Sequence, residues 1–148
     1  MGVRDLKTRK ADALEMLSKQ GDLWLASAGG AGEAHVIAAS AWWDGTDVVV
    51  STRSNTATAR NLAANPVVRL AVGSPADAVV VDARVADISA VEDVPDVAGG
   101  FAAAVGWDPR EAGEGWMFYR LKPTRIQVYR GYEEMEGRDV MRRSEWVV

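Results

Sequence analysis

Residues 51–60 read STRSNTATAR, and these ten positions hold the side chains best suited to chemistry. Ser51, Thr52, Thr56 and Thr58 offer hydroxyls, and Arg53 and Arg60 offer guanidinium forks. A strand ending at Thr52 and a helix beginning at Thr56 would add the free amides of a helix N-terminus. Those amides have no partner within the helix and lie at the positive end of its dipole. Hydroxyls, guanidiniums and unpaired amides together suit a phosphate or another anion. The plainer account of the same residues is a capped helix start, since Ser, Thr and Asn are favoured caps, with Arg60 merely solvated. Thr56 and Arg60 are four apart and share a helix face. Ala59, Leu62 and Ala63 form the opposing apolar stripe.

The rest of the chain excludes much other chemistry. There is no cysteine, so disulfides, thiolate metal sites and cysteine nucleophiles are out. His35 is the single histidine, so a histidine-rich metal site is impossible and a catalytic triad would rest on that residue alone. It stands beside Gly29, Gly30 and Gly32, where a turn or surface role is expected, not a catalytic one. Trp42 and Trp43 are adjacent on a strand and must face opposite ways. Trp107 and Trp116 flank a polar loop, where they suit packing, with stacking on a ligand ring as the alternative. Glu133, Glu134 and Glu136 read as a solvated surface, because a hard-ion site needs more convergent oxygens.

The elements that must position these residues follow from periodicity. Residues 5–19 read as a helix with Leu6, Ala13, Leu14 and Leu17 on one face and charges on the other. Strands are expected at 23–28, 33–43 and 47–52, the last two joined by the hairpin pair Asp44-Gly45. A short helix at 56–64 stops at Asn65-Pro66. Strands follow at 67–72 and 78–88, then a helix at 91–106 and a polar loop at 108–115. Two final strands, 116–121 and 124–129, are expected either side of Lys122-Pro123. The tail from Arg130 onward has no readable pattern. Consecutive strands with few helices argue for an antiparallel barrel with peripheral helices and against a doubly wound parallel sheet.

At 148 residues the chain suits one domain over 1–148. Its composition is that of an ordinary globular protein, 48% hydrophobic and 26% charged. A net charge of -4 argues against nucleic acid as a partner. The N-terminus lacks an apolar signal core, and a run free of charge and glycine such as 36–43 is too short to span a membrane. No membrane partner and a cytoplasmic location are therefore expected.

The run from Gly21 to Gly73, with its "RNL..NP" helix and strand spacing, resembles the pyridoxamine 5′-phosphate oxidase-like, or flavin reductase split-barrel, family. The later "YRLKPTRIQVYRG" is similar to that family's closing strands. The resemblance implies an antiparallel split β-barrel and a homodimer with FMN, or the deazaflavin F420, in a cleft between subunits. It implies a cofactor phosphate against the strand-to-helix loop, here Ser51, Thr52, Arg53, Thr56, Thr58, Ala59 and Arg60. It implies an oxidoreductase acting on a small molecule, with no catalytic side chain, because a flavin ring itself carries the hydride or electrons. A flavin- or tetrapyrrole-binding module without catalysis is the alternative. Two departures stand out. Thr58 occupies a position where many relatives have lysine, and the tail has Trp146 without the arginine-histidine pair of authentic pyridoxamine phosphate oxidases.

Overall fold

Eight strands and three α-helices form within residues 2–19 and 21–148, the part of the chain that the computed structural model describes. The helices are α1 (Leu6–Lys19), α2 (Ala57–Ala64) and α3 (Pro95–Val105). The strands are β1 (Asp22–Ala28), β2 (Ala34–Trp43), β3 (Val48–Arg53), β4 (Val67–Ser74), β5 (Asp77–Ala90), β6 (Trp116–Tyr129), β7 (Asp139–Arg142) and β8 (Glu145–Trp146). Neighbours run in the order β3-β2-β1-β4-β5-β6, and β6 returns to pair with β3. Six antiparallel strands thus close into a barrel, which leaves these valine-rich strands no open edge. The expected antiparallel barrel with peripheral helices is the fold found. Among the described residues no helix is long and apolar enough to cross a membrane.

The barrel interior is aliphatic, with Leu25, Val48, Val50, Leu70, Val79, Val81, Leu121 and Ile126 among its buried residues. Ala13 and Leu17 of α1 and Leu62 of α2 pack onto it. A second cluster lies outside the barrel under α3, built from Val49, Val91, Ala98, Phe101 and Phe118. β3 therefore serves two cores, which explains its unbroken apolar run. Trp43 packs against the barrel core and Trp42 against the α3 cluster, on opposite faces as alternation requires. The hairpin at Asp44-Gly45 forms as expected, with Gly45 at φ 102. Burial pushes the Asp44 carboxyl up, but amide donors from Asp47 and Thr46 and the Arg120 guanidinium hold it below its ordinary range.

Four local expectations are corrected. The two final strands are one, β6, running through Lys122-Pro123. Proline is tolerated there because the β3 pairing ends at Leu121, the β7 pairing begins at Ile126, and the β5 ladder shifts register beside it. The helix expected at 91–106 is split into a 3-10 turn at Val91–Asp93 and α3, which starts at Pro95. Proline lacks the N–H to continue a helix but suits its first position. The unreadable tail forms the β7–β8 hairpin, turned by Arg143 and Ser144 at φ 52 and 62.

The last correction is Glu134, expected in solvent and in fact 4% exposed. Its carboxylate accepts from the Arg4 guanidinium and from the backbone N–H groups of Arg4 and Arg130. Arg9, equally buried on the face of α1 expected to be charged and wet, donates to the Glu134 and Val128 carbonyls. The Arg4 hydrogen bonds outweigh the upward push of burial and hold the Glu134 carboxyl at about 2.

Candidate functional site

The seven expected site residues fall at the end of β3 and the start of α2, where alternation divides them. Ser51 and Arg53 face the α3 side of β3, with Val49, and Thr52 faces the barrel side, with Val48 and Val50. Ser51 is buried and donates to the Met117 carbonyl at 3.0 Å. Arg53 lies over the Trp116 ring, 5.3 Å from its centroid, and donates to the Ala112 carbonyl at 3.0 Å. Thr52 and Thr56 bring their hydroxyls within 3.1 Å.

Thr56 is the N-cap of α2, in extended conformation, and accepts from the Ala59 amide at 3.1 Å. Its hydroxyl donates to the Arg53 carbonyl at 3.0 Å, so the Thr52–Thr56 bond must be donated by Thr52. The hydroxyls of Ser51, Thr52 and Thr56 are thus committed to building the loop. Ala59 has a buried side chain, packed on the barrel core. Thr58 is 2% exposed and turns inward to His35, whose Nε2 lies 3.1 Å from Thr58 Oγ1. His35 is a half-buried strand residue of β2, not part of the glycine turn.

Donors remain for an anion. The amides of Ala57 and Thr58 find no acceptor among the described residues. Arg60 is exposed and donates one N–H to the Asn55 carbonyl at 3.1 Å. Arg53 and Arg60 form no ion pair among the described residues. Arg84, Arg138 and Arg143 likewise pair with no carboxylate among the described residues, whereas Arg4, Arg69, Arg110, Arg120, Arg125 and Arg130 do. The free amides at the N-terminus of α2, with the Arg60 guanidinium on the same short helix and without a counter-charge, fit a phosphate monoester in charge and in donor type.

The loop after α3 flanks this site, which sequence reasoning missed. Ser54 N–H donates to the Gly115 carbonyl at 2.9 Å, and Trp116 Nε1 to the Ala112 carbonyl at 3.2 Å. Gly113 and Gly115, both at positive φ, were the available signal. Trp107 and Trp116 pack edge to face at 5.1 Å within the α3 cluster, and Trp107 Nε1 donates to Ser40 Oγ. Also missed was the Asn61 Nδ2 to Ser27 Oγ bond, 3.1 Å, beside the His35–Thr58 contact.

Residues 10–127 match the family model described as pyridoxamine 5′-phosphate oxidase. No curated protein matches the chain. Among solved structures, one described as an F420 reductase is 20% identical, with a TM-score of 0.65, over 76% of this chain and 93% of that one. General stress protein 26 from Bacillus anthracis is 12% identical, with a TM-score of 0.61, over 81% of this chain and 93% of that one. A heme-binding protein from Mycobacterium smegmatis is 15% identical, with a TM-score of 0.68, over 94% of this chain and 58% of that one. These structural likenesses establish the shared fold.

Proposed function

Because the chain belongs to the pyridoxamine 5′-phosphate oxidase family, we propose that it binds FMN against the β3–α2 loop and exchanges hydride or electrons with a small molecule. The observation that carries this reading is the free amides of Ala57 and Thr58 at the start of α2, with Arg60, which has no counter-charge, on the same short helix. In the proposed complex those amides and Arg60 hold the phosphate. Ser51, Thr52 and Thr56 shape the loop that presents them. FMN supplies the redox chemistry from its own ring, so no side-chain nucleophile is needed.

The likeness in fold to a structure described as an F420 reductase supports F420, a phosphorylated deazaflavin, as the second reading. A tetrapyrrole finds less support, because the single histidine already contacts Thr58. Vitamin B6 oxidation is not proposed. The tail has no histidine, and Trp146 is packed on the barrel core beneath Lys10.

Fluorescence titration with FMN and with F420 tests the reading. A charge-assisted hydrogen bond contributes roughly 1.5–3 kcal/mol, so Arg60→Ala should weaken binding about ten- to a hundredfold. Equal binding of both cofactors by parent and variant would make this loop a capped helix start and nothing more.

A further inference from the structure

A polar seam joins the barrel to the helix that opens the proposed site, and it contains the chain's single histidine. Ser27 and His35 stand directly opposite each other on β1 and β2. Thr58 and Asn61, three apart on α2, meet them with two parallel contacts, His35 to Thr58 and Asn61 to Ser27, each 3.1 Å. Ser27 and Thr58 are buried, so water is no ready substitute for these bonds.

Thr58 is also one of the two residues whose amides are left for an anion. A neutral imidazole can accept from the Thr58 hydroxyl, whereas a protonated one can only donate. Protonation therefore obliges His35 to donate to Thr58 Oγ1. That releases the hydroxyl hydrogen and adds positive charge behind the first turn of α2. Ser27 from β1 and Thr58 and Asn61 from α2 face the ring, and none of them is charged. The charged groups on the segments that meet here are Glu33, two residues before His35 and lying over Gly29, and Arg60 of α2, held by the Asn55 carbonyl.

Resting on the phosphate site proposed above, we propose that His35 is a positioning residue that makes the site's grip on a phosphorylated ligand pH-dependent. The grip is tighter when the imidazole is protonated and weaker when it is neutral.

Binding of FMN and riboflavin to the parent and to His35→Gln, at about pH 5.5 and about pH 8, tests this, since that interval spans histidine's ordinary titration. FMN's own phosphate changes charge near pH 6, but equally for both proteins. The parent-to-variant affinity ratio should therefore fall about three- to tenfold for FMN as pH rises, and stay flat for riboflavin, which has no phosphate. A flat ratio for FMN overturns the role of His35 while leaving the phosphate site standing. FMN binding no tighter than riboflavin, or not at all, overturns the FMN reading of the site and this inference with it. The parent alone gives a second readout should the variant fail to fold. Its single histidine Cε1 proton resonance should move toward the protonated position when FMN is added at about pH 7, because binding and protonation are coupled reciprocally. No movement would contradict the proposal.

Discussion

At the scale of residues, the loop's hydroxyls illustrate what spacing alone can and cannot reveal. Their clustering before a helix was legible in STRSNTATAR, and so was Thr56 as a cap. Their orientation was not, because it depends on β3 alternation and on a carbonyl from β6, 66 positions away from Ser51. Glu134 is a sharper case. Three glutamates in four positions look like a wet surface, and only the fold brings Arg4, 130 positions away, onto one of them. Removing one partner of a buried pair typically costs about 3–5 kcal/mol, because the other charge is left uncompensated. Glu134→Gln should destabilise the protein by an amount of that order, measured by urea denaturation. The same carboxyl gives a pH dependence. In the folded protein it is held at about 2, below its ordinary value of 4.5, so unfolding between those values takes up a proton. Its contribution to stability is complete above the ordinary value and is lost as pH falls toward 2. Thermal melts in acid should show that loss in the parent and a smaller one in Glu134→Gln.

At the scale of elements, β1 to β5 and α2 were legible because each carries its period and its stop signal within a few residues. The end of the chain was not. β6 runs through a proline that ordinarily ends a strand, and that is possible only because its neighbours change beside Pro123. The β7–β8 hairpin turns on Arg143 and Ser144, neither of which advertises positive φ. Helix α3 contains Gly99 and Gly100, which weaken it on propensity alone. Gly100 has a packing reason. A Cβ there would run into three ring atoms of Trp42. Gly100→Ala gains up to about 1 kcal/mol of helix propensity, but overpacking typically costs about 1–3 kcal/mol. The expected outcome is a net loss of stability in a urea melt. Gly99→Ala, where a Cβ meets nothing within 4 Å, should be neutral or stabilising.

At the scale of the whole molecule, barrel closure satisfies the edges but leaves an exposed apolar patch on one outer face, bordered by the Arg69–Asp82 pair. Trp24 on β1 lies between Ala38 of β2 and Ala71 of β4, and Val36 stands beside Ala26. Trp24 and Val36 are 56% and 58% exposed. We propose that a second copy of the chain covers this face, since a large aromatic at the centre of an apolar patch is the usual anchor of an interface. Trp24→Glu should then sediment as a monomer at micromolar concentration, where the parent sediments as a dimer. Sedimentation velocity followed at the cofactor's visible absorbance shows whether this barrel carries a phosphorylated flavin or deazaflavin. With FMN or F420 present, the coloured boundary should travel with the protein, at twice the 15.9 kDa chain mass. If the colour of both cofactors stays in the slow, free fraction, the barrel is not a carrier of either.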